Sequence, residues 1–351
     1  MPIATVNGVR LNFVQLGERS DHAREDLVMV HGLATNLAFW YFSYAHEFAK
    51  RFRVTLFDMR GHGRSEMTTA GYSPASLSRD MAQLLDHLEI ESAHFLAHSF
   101  GGLVTMNFAC AQPRRVSSLV LADTHIKAAR HTGEPTRWAY GESVQPVLDR
   151  LGLNLDTRDP YFGYRLLTRM AQWQLRGDPV PDELNEVVSP LIGRTSRRTA
   201  EQWLRLMSDT TAKAEMKGDD GLTLDGLRAL RFPILTMYGE NSQARPTGDK
   251  LLEVWPNAEF RLVRGAGHFF PVSRPQDVVA SCERFWGGEF NSVPRRRAGE
   301  VQGTHFRSDR VYMADGAWYV TMRGNGRLGP FAAREDAYGH LASPLFQVAE
   351  A

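Results

Sequence analysis

The chain is poor in cysteine: 351 residues carry only Cys110 and Cys282. Two thiols in helical-looking apolar patterns make neither a disulfide framework nor a structural zinc cluster, so both are expected to be reduced core residues. A dominant charge sign is also missing. The 41 basic and 40 acidic side chains nearly cancel, which excludes the broad electrostatic field that draws a protein to nucleic acid or to an anionic membrane. Long apolar runs are absent too, and no stretch approaches the roughly 18 residues that span a bilayer. The opening residues, Met1-Pro2-Ile3-Ala4-Thr5-Val6-Asn7-Gly8, lack the charged-then-apolar plan of a secretory leader. These absences, with no internal repeat, point to a cytoplasmic globular protein. The hydrophobic share of 43% is ordinary for that class.

What is present is an alternation of short apolar strands with amphipathic helices. Ala4 to Phe13 alternates around Asn7-Gly8, the signature of a hairpin. Strands are expected at Leu27–Val30, Arg53–Asp58, around Ala93–Leu96, and at Ser118–Asp123, Pro233–Gly239 and Glu259–Val263. Helical spacing appears over 39–50, 76–88, 103–109 and 275–286. This rhythm predicts an α/β fold with a mostly parallel, doubly wound sheet. Between Thr124 and Ala229 the strand signal disappears, and Trp138, Tyr140, Trp173 and Trp203 lie among helix-like segments. That texture reads as a helical cap inserted into the core. The expected division is a core at 1–123 and 230–288, a cap at 124–229, a linker at 289–304 and a small α+β domain at 305–351. The arginine triplet Arg295-Arg296-Arg297 falls in the linker and is read as a solvated run. The last unit is too small to be comfortable alone, so it is expected to dock on the core, on a second copy or on another protein.

The chemistry concentrates at Ala97-His98-Ser99-Phe100-Gly101-Gly102. A serine between small residues, with a strand before it and a helix after it, is the layout of a nucleophile elbow. The turn is too sharp for bulky neighbours, and the following helix presents backbone N–H groups that can hold an oxyanion. Ligands of open α/β sheets sit beyond the carboxyl ends of the strands. His31-Gly32, Asp58, Ser99, Asp123 and His268 all fall at that end of an expected strand.

With these residues in place, the chain resembles the α/β-hydrolase fold family from about residue 3 to residue 288. The likeness is carried by His31-Gly32, the loop Asp58-Met59-Arg60-Gly61-His62-Gly63-Arg64-Ser65, the elbow, and Gly265-Ala266-Gly267-His268. The tail is similar to a small bacterial domain of unknown function with a Trp-Tyr and a Gly-Pro-Phe pattern. The resemblance implies Ser99 as nucleophile and His268 as its general base. It implies an oxyanion hole from the amides of Leu33 and Phe100, and a substrate pocket involving His31, Gly32, His98, Trp138 and Phe269. His31 is read as holding its loop rather than moving protons, and Asp58 and Arg60 as tying the glycine-rich loop together. No metal or cofactor is implied.

The acid is where the pattern departs. The family usually places it after the strand ending at Tyr238, and there the chain reads Gly239-Glu240-Asn241-Ser242, with a serine in the customary aspartate position. Asp123, one strand earlier, is the expected acid, with Glu240 in reserve and an acid-free dyad as the third option. The expected activity is cleavage of an ester, thioester or lactone of a largely apolar acyl group. Carbon–carbon bond hydrolysis, perhydrolysis and a slow hydrolase-like receptor or scaffold remain as alternatives. Dehalogenase and epoxide hydrolase chemistry would need aspartate at position 99, where Ser99 stands.

Overall fold

The computed structural model describes residues 2–17, 25–129, 138–178, 184, 197–287, 311–314, 317–321, 327–332 and 336. Eight strands form one sheet: β1 (Ile3–Val6), β2 (Val9–Leu16), β3 (Asp26–Val30), β4 (Arg53–Phe57), β5 (Ala93–His98), β6 (Val116–Ala122), β7 (Ile234–Gly239) and β8 (Glu259–Val263). Their order is β1-β2-β4-β3-β5-β6-β7-β8. The two pairings made by β2 are antiparallel, and the others are parallel. This is the mostly parallel sheet that the alternation of strands and helices predicted.

The central strands are apolar on both faces because both faces are covered. Val28, Val30, Phe95, Ala97, Leu119 and Leu121 enter one buried cluster. Their chain neighbours Leu27, Met29, Leu96 and Val120 enter the other, on the opposite face, as the period-2 geometry of a strand requires. Register then sets the functional edge. Val30 pairs with Ala97, His98 with Ala122, and Ala122 with Met237, so the carboxyl ends of β3, β5, β6 and β7 finish level with one another.

The helices follow the expected faces with small shifts. Helix α1 (Pro74–His87) starts two residues early because Ser73 caps it, its hydroxyl accepting from the Ser76 N–H at 3.2 Å. Helix α2 (Phe100–Ala111) begins directly after the elbow serine. The segment expected as one helix from Phe39 is helical at Ala38–Trp40 and His46–Phe48, with a π turn at Tyr41–Ala45 between them. Between β6 and β7 the described residues form helices and no strand. These include α3 (Ala139–Arg150), α4 (Phe162–Arg176) and α5 (Arg197–Asp209). Val144, Leu148, Phe162, Leu166 and Trp173 make a third apolar cluster among them. After β8 come α6 (Pro275–Trp286) and a small antiparallel sheet of β9 (Val311–Ala314), β10 (Ala317–Thr321) and β11 (Arg327–Phe331). Trp318 packs against the main cluster of the core. The expected linker at 289–304 and much of the small domain expected at 305–351 lie outside the described residues. Cys110 and Cys282 are free thiols, and burial raises the pKa of both.

The glycine-rich loop after β4 is built around two buried charges. Asp58 accepts from Leu37 N–H at 2.7 Å, Asn12 Nδ2 at 2.7 Å and Arg64 N–H at 2.8 Å. Arg60 makes a two-pronged bond to Asp80 on α1, Nε to Oδ2 at 2.9 Å and Nη2 to Oδ1 at 2.7 Å. Burial raises the Asp80 pKa, and the guanidinium opposes that shift. Removing one member of such a pair leaves the other charge buried and uncompensated. Arg60→Met is therefore expected to cost about 3–5 kcal/mol, measured as a lower urea midpoint with an unchanged m-value.

Candidate active site

Ser99 occupies the single residue between β5 and α2 with φ 55° and ψ −122°, a backbone conformation that L-residues rarely adopt. The surroundings hold it there. Its N–H donates to the Ala122 carbonyl at 3.0 Å, and the Gly102 N–H donates to the Ser99 carbonyl at 2.9 Å. The helix starts so close to β3 that a Cβ at Gly101 would lie 2.8 Å from the Val30 carbonyl oxygen and strike that of His31. Glycine at that position is a steric requirement.

The serine hydroxyl and the His268 imidazole meet. His268 Nε2 lies 2.9 Å from Ser99 Oγ, and His268 Nδ1 lies 2.8 Å from Asp123 Oδ1. Asp123 is wholly buried; with the Nδ1–H donated to its carboxylate, Nε2 is left to accept from the serine hydroxyl. Asp123 follows β6 with φ 53°, and its N–H donates to the Met237 carbonyl at 2.8 Å. Two more donors reach its carboxylate: the Gly239 N–H at 2.8 Å on Oδ2, and the Ser242 hydroxyl on Oδ1. Ser242 Oγ also accepts from the Ala244 N–H at 3.0 Å. The serine in the customary acid position thus contacts the carboxylate supplied from the neighbouring strand.

Glu240, the reserve acid, does not approach His268. It is exposed, and its Oε2 accepts from the Gly265 N–H at 2.7 Å, so it braces the loop leading to His268 from outside. Its side chain follows the last residue of β7, whereas the buried side of that turn belongs to Asp123 and Ser242.

Ser99 and His268 open onto a cavity of about 460 Å³. Leu33, Phe100, Trp138 and Phe269 line it. Phe100 is the first residue of α2, where a backbone N–H has no intrahelical acceptor. Tyr140, Phe162, Leu166 and Leu167 add apolar wall from the segment between β6 and β7. Trp173 faces the apolar cluster of that segment instead.

His31 and Gly32 depart from the expected pocket wall: both are buried beneath it. His31 donates from Nδ1 to the Gly32 carbonyl at 2.7 Å and accepts from the Met59 N–H through Nε2 at 3.1 Å. It ties the loop after β3 to the loop after β4. Gly32 lies under the elbow, where a Cβ would come within 3.2 Å of Ser99 Cβ. His98 borders the cavity but exposes none of its surface to solvent.

Sequence reading missed the polar part of the wall. Lys127, His125, Asp220, Asn241 and Gln243 also line the cavity. Lys127 Nζ donates to the Lys217 carbonyl at 2.7 Å, and Asp220 accepts from the Lys127 N–H at 2.8 Å. Trp138 Nε1 donates to the Asn241 carbonyl at 2.9 Å, and Gln243 Nε2 donates to the Thr157 carbonyl at 3.2 Å. No spacing rule connects these residues, since they reach the site on three separate segments, at 125–127, 220 and 241–243. Among the described residues, no group of three or more His, Cys, Asp or Glu side chains could hold a metal ion.

A family model for the alpha/beta hydrolase fold matches residues 27–275. The chain belongs to the α/β-hydrolase fold family. A second model, a domain of unknown function (DUF6316), matches residues 296–345. Over 275 residues the hydrolase is 39% identical to the dihydrolipoyllysine-residue acetyltransferase component of the acetoin cleaving system of Pseudomonas putida. That match covers 78% of this chain and 66% of the relative, just under two thirds of the relative's length. The putative carbamate hydrolase RutD of a Caulobacter species is 28% identical over 306 residues, covering 82% of this chain and 99% of the relative. Among solved structures, the enol-lactonase from Burkholderia xenovorans superposes with a TM-score of 0.57 at 22% identity, covering 82% of this chain and all of that one. At that identity the superposition speaks for the shared fold.

Burial depresses the histidines under this site. The His31 pKa falls to about 4, and the His62 pKa to about 3 with His31 as a further cause; their rings are 5.3 Å apart. Unfolding frees both to bind protons near 6.5, so stability is full above that pH and is lost as pH falls toward 4. His31→Asn is expected to flatten the decline of the urea midpoint between pH 6.5 and 4, measured by equilibrium unfolding at a series of pH values.

Proposed function

We propose that this α/β hydrolase is a serine hydrolase that cleaves an ester, thioester or lactone through an acyl-enzyme on Ser99. The observation that carries the reading is the unbroken hydrogen-bonded chain from Ser99 Oγ through His268 to the buried Asp123 carboxylate, at the floor of a cavity. Similarity to a relative named as a putative carbamate hydrolase fits the same carbonyl chemistry.

In this reading the Ser99 oxygen attacks the substrate carbonyl while His268 Nε2 takes its proton. The amides of Leu33 and Phe100 stabilise the charge that grows on the carbonyl oxygen. Asp123 remains ionised and stabilises the imidazolium through Nδ1–H. The tetrahedral intermediate collapses, His268 passes the proton to the leaving oxygen or sulfur, and the acyl group stays on Ser99. Water, deprotonated by His268, then attacks the acyl-enzyme and releases the acid. The left-handed backbone at Ser99 favours this cycle because it aims the hydroxyl into the cavity and leaves the first amides of α2 facing the same space. Leu33, Leu103, Phe162, Leu166 and Phe269 on the wall suit an acyl group with substantial apolar surface.

A fluorophosphonate probe should label the wild-type protein and fail to label Ser99→Ala; absence of labelling on folded wild-type protein would refute the proposal. Ser99→Ala and His268→Ala should each lower kcat/KM by about four to six orders of magnitude, and the double variant should be little worse. Asp123→Asn should cost about 10⁴ in kcat, with Glu240→Gln nearly silent. The opposite ranking in steady-state assays on p-nitrophenyl esters would move the acid to Glu240.

A further inference from the structure

His98 is the residue before the nucleophile, and its ring does something that neither Ser99 nor Asp123 does. Its Nε2 lies 3.0 Å from the backbone carbonyl oxygen of His268. The imidazole is wholly buried, so this is an Nε2–H donor on that carbonyl and the neutral ring carries its lone pair on Nδ1. Nδ1 is buried with no hydrogen-bond partner among the described residues. An imidazole with one unmet polar atom is a costly way to fill an apolar site that leucine or methionine would fill without cost. Its compensation lies at Nε2.

The ring is clamped on several sides. Phe39 stacks on it at 4.7 Å between centroids, the His268 ring lies at 4.9 Å and the Phe269 ring at 5.7 Å. Gly32 lies against Nδ1: an added Cβ there would stand 3.0 Å from it, so the glycine is what leaves room for the ring. The loop it grips carries two glycines, Gly265 and Gly267. Gly265 has φ 63°, and a Cβ at Gly267 would meet nothing within 4 Å. The Asn241 N–H holds this loop at the Ala266 carbonyl at 2.9 Å, and the Phe270 N–H holds it at the Gly267 carbonyl at 3.1 Å. Residue 268 itself is fixed at its carbonyl by His98. Burial pushes the His98 pKa well below its ordinary value, with the neighbouring His268 as the next cause. The strut therefore stays uncharged and does not compete for the proton that His268 receives.

We propose that His98 is a positioning residue: by donating from Nε2 to the His268 carbonyl, it ties the nucleophile elbow to the backbone of the general base and sets the distance between them. The inference rests on the serine hydrolase reading above and adds a second link between the two loops, independent of the Ser99–His268 side-chain bond. It acts on the chemical step, because small displacements of reacting groups act on the barrier rather than on ground-state binding.

The test compares His98→Gln, His98→Asn and His98→Leu in the full chain. Glutamine places an amide N–H where Nε2 stood, whereas asparagine is too short and leucine carries no donor. On p-nitrophenyl butyrate, Asn and Leu are expected to lower kcat by roughly 10- to 100-fold with KM little changed. Gln is expected to restore most of kcat. Thermal unfolding of each variant separates a folded from an unfolded protein, and if Leu does not fold the Gln–Asn contrast decides alone. Equal kcat in Gln and Asn, or a folded Leu variant with wild-type kcat, would overturn the inference. The fluorophosphonate probe keeps the two proposals apart. Wild-type and Asn proteins labelled at the same rate would defeat the His98 role alone, whereas an unlabelled, inactive wild type would defeat the serine hydrolase reading and this one with it.

Discussion

The Asp123 carboxylate joins three separate parts of the sheet edge. It leaves the end of β6, takes donors from Gly239 and Ser242 at the end of β7, and takes the His268 Nδ1–H from the loop after β8. A buried carboxylate is tolerated only when its oxygens are satisfied, and here three protein donors reach it. The same bonds that make the charge tolerable hold the imidazole at Ser99. Stability of the edge and geometry of the site are thus one set of contacts.

The contacts continue into the helical segment between β6 and β7. Asn241 and Gln243 flank Ser242 and bond to Trp138 and Thr157 respectively. The short loop that holds Asp123 from one side therefore holds the pocket wall from the other. Below the site a second layer of polar groups, His31, Asp58 and Asn12, joins the loops after β3 and β4 to β2. Backbone strain at Ser99 and Asp123 persists because these layers leave no room for relaxation.

Much of this was legible in residue order. Strand and helix identity followed from apolar spacing, and the elbow from a serine between small residues. The positions of Ser99, Asp123 and His268 at strand ends narrowed the site to one edge. What failed was telling the wall of the pocket from the layer beneath it. His31 and Gly32 belong to the buried layer, since the close approach of α2 to β3 at Gly101 seals them off. The choice between Asp123 and Glu240 was open for a similar reason: both follow a strand, and only the direction of each side chain separates them.

By itself the sequence determined the parallel sheet, the turn at residue 99 and the candidates for the acid. These depend on local periodicity and on steric limits that act between near neighbours in the chain. Tertiary structure decided that Ser242 serves Asp123, that Glu240 braces Gly265 from outside, and that His98 reaches the His268 carbonyl. Each of those contacts joins residues 25 to 170 positions apart, or lies between them at 119. Such a meeting is fixed by how strands align and helices pack, and no local pattern encodes the direction in which a side chain then points.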